Sequence, residues 1–146
     1  MKRSIRCLLA VILIGILICP LTVRAEGENE LLALMNASRV QAGLPEYVMN
    51  EDLCSAAATR AAECAVRFSH TRPNGQSWNT VSSVTKGENL AHAVNSNQCK
   101  AENVALAWML SPGHKANVLR STFSQVGIAT YYNADTGETY IVCEFN

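Results

Sequence analysis

Val126-Gly127-Ile128-Ala129-Thr130-Tyr131-Tyr132, a turn over residues 133–137, and then Tyr140-Ile141-Val142-Cys143-Glu144-Phe145 close the chain. Val126, Ile128, Thr130 and Tyr132 alternate with their neighbours. Beyond the turn, Tyr140, Val142 and Glu144 alternate against Ile141, Cys143 and Phe145. A period of two belongs to a half-buried strand, so the two runs predict an antiparallel hairpin. Everything upstream reads differently. Leu31, Leu32, Met35 and Val40 recur at helical spacing after an acidic start at residues 26–30, and Gly43, Leu44 and Pro45 stop that helix. Asn50 is a good N-cap, with Glu51 and Asp52 in the first turn after it. Leu53, Ala57, Ala61, Cys64 and Phe68 then step by three or four residues, which predicts a second amphipathic helix ending near Phe68. A third helix is predicted over residues 101–110, with Val104, Ala105, Trp108 and Met109 inward and Ser111-Pro112-Gly113 ending it. Residues 114–119 make one short further helical turn. Residues 69–86 read as loop, with a turn at Pro73-Asn74-Gly75. Helices first and strands last predict a layered α+β domain.

The first 25 residues stand outside that domain. Met1, Lys2, Arg3 and Arg6 give a basic start, an apolar run follows from Cys7 to Val23, and Val23-Arg24-Ala25 offers small residues at a cleavage site. That order predicts a secretory signal peptide over residues 1–25 and a mature, extracellular domain over residues 26–146. An uncleaved anchor is the alternative, but the run is short for a membrane span and Pro20 interrupts it. Lipidation at Cys19 is a further alternative, disfavoured by the bulky Ile18 before it. Cleavage removes four basic residues and no acid from a chain with twelve of each, which leaves a net charge of −4. An acidic surface argues against nucleic acid as a partner and against docking on anionic lipid. No stable membrane insertion is expected after cleavage.

Cys54, Cys64, Cys99 and Cys143 remain in the mature part. Four cysteines in an oxidising compartment predict two disulfides, with buried free thiols as the alternative. Cys54 and Cys64 share one predicted helix, about 15 Å apart along its axis, which is too far to bridge. Each is therefore expected to reach Cys99 or Cys143.

Three histidines are present, His70, His92 and His114. His70 and His114 sit in loops beside helix ends, where functional side chains concentrate. Gly87-Glu88-Asn89 lies between them, with a glycine that permits close backbone approach. Neutral imidazoles and a carboxylate suit zinc, copper or nickel. The spacing by itself is no metal motif and reads as surface histidines. Nucleophilic chemistry is less favoured, because the cysteines are expected to be oxidised and no serine lies in a Gly-x-Ser-x-Gly elbow. Trp108 reads as core, and Trp78 either caps the core or lines a cleft.

Five short motifs nevertheless stand in a telling order: Asn36-Ala37-Ser38-Arg39, Phe68-Ser69-His70-Thr71-Arg72-Pro73-Asn74-Gly75, Gly87-Glu88-Asn89-Leu90-Ala91, Ala107-Trp108-Met109-Leu110-Ser111-Pro112-Gly113-His114-Lys115-Ala116-Asn117-Val118-Leu119, and Val126-Gly127-Ile128. In this order the chain resembles the superfamily of cysteine-rich secretory proteins, antigen 5 and pathogenesis-related proteins, the CAP or SCP domain, in its bacterial form. The resemblance runs from Leu31 to Phe145. It implies a three-layer α-β-α sandwich with a small antiparallel sheet between helices. It also implies a cleft in which His70, His114 and Glu88 accept zinc or another divalent cation, with Asn89 in a supporting hydrogen-bond role and Glu88 as the candidate catalytic residue. Many eukaryotic members carry a further cleft glutamate where this chain has Ser111. His92 matches no site residue of the family. The function implied is a secreted binding or interaction module for an extracellular ligand, whether lipid, sterol, glycan or protein. A metal-dependent hydrolase, such as a peptidase, and a structural envelope component are the alternatives.

Overall fold

The computed structural model describes residues 21–146, with side chains from Glu26 onward. The signal peptide expected over residues 1–25 lies outside the described residues, apart from the helical backbone of 21–25. The elements in chain order are α1 (Leu21–Gln41), β1 (Val48–Met49), α2 (Glu51–Val66), a 3-10 turn at Trp78–Val81, β2 (Gly87–Ala93), α3 (Ala101–Leu110), α4 (Pro112–Val118), β3 (Gln125–Asn133) and β4 (Glu138–Phe145). Asn50 caps α2 as the sequence predicts, its side chain accepting from the Leu53 amide at 3.0 Å. The closing hairpin also forms, with Val126 opposite Phe145 and Asn133 opposite Glu138.

The sheet runs in the order β1-β3-β4-β2. It is mixed rather than purely antiparallel, because the two-residue β1 joins β3 in parallel. Strand β2 is an element that the sequence reading leaves unassigned: Gly87-Glu88-Asn89 starts a seven-residue strand antiparallel to β4. Residues 87–90 are buried without interruption, so the polar and apolar positions do not alternate and nothing in the pattern betrays a strand. Helix α2 ends at Val66, so Phe68 stands outside it, half exposed.

Alternation along β4 sorts the core into two layers. Tyr140 and Val142 face α2 and pack with Ala57, Ala61, Cys64 and Leu90. Ile141, Cys143 and Phe145 face α1 and α3 and pack with Leu31, Met35, Val104 and Trp108. The expected three layers are therefore present.

Helix α1 is fastened through polar side chains. Asn36 donates to the Tyr47 carbonyl at 3.0 Å and accepts from the Tyr47 amide at 2.7 Å. Arg39 is fully buried and donates to the carbonyls of Pro45, Val118, Arg120 and Phe123 at 2.7–3.1 Å. Its guanidinium also lies 3.7 Å from the centroid of the Tyr47 ring. The arginine thereby satisfies carbonyls at the end of α4 and in the loop before β3 that no helix or strand partner takes up.

All four described cysteines are free thiols, which corrects the expected disulfides. Cys64 packs in the α2 layer and Cys143 in the opposite one, so the sheet itself separates them. Cys99 packs at the margin of the Cys143 layer, away from Cys64. Burial pushes the Cys64 thiol up to about 11 and the Cys143 thiol well above its usual range. Neither is a ready nucleophile at neutral pH.

Gly127 is the closest approach of helix to sheet: a Cβ there would overlap the backbone of Leu53 and Cys54 in the first turn of α2. Gly127→Ala is expected to destabilise the fold by about 3 kcal/mol through overpacking that only a backbone shift relieves. Gly113→Ala, in α4 with open space around it, is expected to leave stability unchanged or raise it by up to about 1 kcal/mol. Urea unfolding of both variants checks the contrast.

Candidate functional site

The cleft forms where α2 ends, at the open edge of β2. Glu88, second in β2, has a fully buried side chain, whereas that of His70 is 55% exposed. His70 Nδ1 lies 2.7 Å from Glu88 Oε1. Arg60, fully buried on α2, donates to Glu88 Oε2 from Nε at 2.6 Å and to Oε1 from Nη2 at 3.3 Å. Its remaining bonds go to the Ser69 carbonyl at 2.7 Å and to Glu63 Oε2 at 2.8 Å. Glu63 in turn accepts from Arg72 at 2.7–3.1 Å. Burial works to raise the Glu88 pKa, but the hydrogen bonds from His70 and Arg60 outweigh it and hold the carboxyl below its usual range.

A second carboxyl completes the buried group. Glu144 on β4 stands directly opposite Glu88 in the ladder and is fully buried. Thr85 donates to its Oε2. Its Oε1 has no hydrogen-bond partner when the group is taken as an acceptor. Burial, followed by the neighbouring Glu88 charge, pushes the Glu144 pKa up to about 9. Two buried carboxyls beside one guanidinium oppose each other's ionisation, and the balance favours the neutral form at Glu144.

His114 enters from the first turns of α4, half-buried. Burial lowers its pKa, and the nearby His70 lowers it further, so a proton on one imidazole opposes a proton on the other. Asn89, fully buried, donates to the His114 carbonyl at 3.1 Å and accepts from Asn117 at 3.0 Å. Asn117 also donates to the Glu88 carbonyl at 3.3 Å. Gly87 makes room for this junction, since a Cβ there would lie 2.8 Å from the Phe123 ring. Ser111 stands at the break between α3 and α4 and brings no charge. His92 lies further along β2, stacked on Tyr140 with centroids 4.8 Å apart.

His70 and His114 lie near enough for the charge of one to lower the pKa of the other, and Asn89 holds the His114 carbonyl. Glu88 stands behind His70, both its oxygens engaged, and not beside it in the opening. Among the described residues, no three His, Cys, Asp or Glu side chains are grouped to hold a metal ion. Sequence reasoning missed Arg60, Glu144 and Thr85. Two signals were present: Arg60 interrupts the apolar face of α2 between Ala57 and Cys64, and Glu144 falls on the inward register of an otherwise apolar strand.

A second concavity lies on the face of the sheet that α1 and α3 cover. It has a volume of about 510 Å³ and is walled by Leu31, Ala101, Val104, Ile128 and Ile141 between α1, α3 and the strands. Glu28, Glu30, Lys100, Glu102, Thr130, Tyr132 and Thr139 also line it.

The profile of the cysteine-rich secretory protein (CAP) family matches residues 32–145. The Bacillus subtilis protein YkwD is 30% identical over 109 residues, covering 69% of this chain and 41% of that protein. The chain thus spans well under half of that relative's length. Among solved structures, an extracellular protein of Bacillus anthracis containing an SCP domain superposes with a TM-score of 0.67 at 16% identity, covering 84% of this chain and 41% of that one. An outer surface protein of Borrelia burgdorferi gives 0.66 at 16% identity, over 83% and 92%. The structure of NaASP2 with Zn2+ gives 0.63 at 15% identity, over 83% and 79%.

The Glu144 proton makes stability depend on pH with a definite sign. A carboxyl whose folded pKa is raised contributes fully below its unfolded value, near 4.3, and that contribution is lost as pH rises toward about 9. Glu144→Gln keeps the neutral shape and cannot ionise. The melting temperature of the native chain is expected to fall relative to that of Glu144→Gln between about pH 6 and pH 9, read by thermal unfolding of the two side by side.

Proposed function

The chain belongs to the cysteine-rich secretory protein (CAP) family, and from that premise we propose that it is an extracellular binding module that holds the acyl chain of a lipid in the chamber between α1, α3 and the sheet. The chamber carries this reading. Its volume of about 510 Å³ falls in the range of small-molecule pockets, and Leu31, Ala101, Val104, Ile128 and Ile141 give it an apolar surface among polar residues that include Thr130 and Thr139. Export of the chain is supported by its basic and apolar start and by the extracellular relative from Bacillus anthracis. No helix among the described residues is long and apolar enough to cross a membrane.

The His70–His114 cleft supports a second role, as an acceptor of zinc or another divalent cation. Two converging imidazoles fit a cation of this kind, and the remaining positions fall to water or to a ligand. Zinc bound there would act as a Lewis acid and lower the pKa of a bound water. A hydrolase would also need a general base within reach of that water. Glu88 does not fill that role, because Arg60 and His70 occupy it and its side chain is closed to solvent. The geometry therefore favours binding over hydrolysis.

Displacement of a fluorescent fatty acid tests the chamber. The native chain is expected to bind it, and Thr130→Trp, which fills the chamber from β3, is expected to weaken binding at least about tenfold, or about 1.4 kcal/mol. Equal binding by a folded Thr130→Trp chain overturns the reading. Zinc titration by calorimetry tests the cleft: binding at about pH 7.5 should weaken as pH falls, because protons compete with the metal for the imidazole lone pairs, and should be lost in His70→Ala and in His114→Ala.

A further inference from the structure

We propose that Arg60 is the positioning residue of the cleft: through Glu88 it holds His70 as the Nδ1–H tautomer, so that Nε2 is the ring nitrogen offered to a ligand. The proposal deepens the reading of the cleft as a cation site and rests on that reading for its purpose, though not for its test.

Arg60 projects from the middle of α2 with no exposure to solvent. Its guanidinium is a rigid plane, and its bonds leave it one orientation. Nε and Nη2 grip both oxygens of Glu88, Nη1 holds Glu63, and Nη2 also reaches the Ser69 carbonyl. A carboxylate gripped in this way is ionised and can only accept. His70 Nδ1, 2.7 Å from Glu88 Oε1, must then be the donor. In the neutral ring the proton is on Nδ1 and the lone pair is on Nε2. The bond from Arg60 to the Ser69 carbonyl fixes the chain one residue before His70, so backbone and ring are set by the same side chain. A carboxylate behind an imidazole is the arrangement by which proteins orient a metal-ligating histidine. Here the carboxylate is itself oriented by a buried arginine.

Nitrogen-15 long-range correlation spectra of the intact chain test this directly, at a pH above the ordinary imidazole value of about 6.5. The native His70 ring should show the Nδ1–H signature. In Arg60→Gln, and in the conservative Arg60→Lys, which keeps the charge and loses the fork, the ring should pass to a mixture of tautomers, with zinc affinity about tenfold or more lower. The indole N–H of Trp108, which donates to the Leu90 carbonyl, reports in the same spectra that the sheet edge is intact. Glu88→Gln provides an independent arm, with the same loss of signature expected. An Nε2–H signature for native His70, or an unchanged signature in a folded Arg60→Gln chain, overturns the proposal. If native His70 has the expected signature and the variants lose it while zinc does not bind, positioning by Arg60 stands and the cation reading fails.

Discussion

Helix α2 lies on the sheet at a distance that only a glycine allows. At Gly127 the backbone of β3 comes against the backbone of Leu53 and Cys54, with no space for a methyl group between them. Alanines carry the contact onward, with Ala57 and Ala61 fully buried against Ala129 and Val142. Small side chains on both surfaces bring the helix axis close, and the consequence appears further along the helix. Arg60 spans the gap from α2 to β2 and meets Glu88 at 2.6 Å. A larger residue at Gly127 would lift the helix, and the ion pair would open in a place that water does not reach.

The buried charges follow from that geometry. Arg60, Glu88 and Glu144 lie together away from solvent, and such a group is costly unless its charges balance. One guanidinium answers one carboxylate, and burial beside the Glu88 charge disfavours ionisation of the second carboxyl, Glu144. Arg39 reaches the same end by another route: with no carboxylate among its hydrogen-bond partners, its charge is spread over four carbonyl dipoles and the face of Tyr47. Both arginines join segments distant in sequence, and each relies on the planar fork of donors that lysine lacks.

The two sites use different parts of one sheet, its α1–α3 face and its β2 edge. The chamber lies where α1 and α3 pack on the odd-numbered side of β4, and at the β2 edge His70 meets Glu88 of the even-numbered side while Asn89 of the odd-numbered side holds His114. The separation gives each its own surroundings: an apolar surface for the chamber, and a buried ionic group behind two partly exposed imidazoles for the cleft. A ligand in one need not disturb the other, since the sheet between them is paired through every residue of β2.

Much of this was legible before any coordinates. The closing hairpin, the cap at Asn50, the helix over residues 101–110 and the buried Trp108 follow from local periodicity and turn chemistry, which act over a few residues and are written contiguously. The order of the motifs around His70, Gly87 and His114 pointed to the family. Strand β2 escaped, because its first residues are buried on both sides and show no alternation. The thiols escaped as well: pairing depends on which face of the sheet each cysteine meets, and spacing along the chain carries no such information. By itself, then, the sequence determined which segments are helix or strand over most of the chain and which residues could carry chemistry. Tertiary structure alone decided that Glu88 stands behind His70 and not beside it, and that Arg60 and Glu144 share its burial. Those roles depend on where a charge lies relative to water and to another charge, and only the packed chain sets those distances.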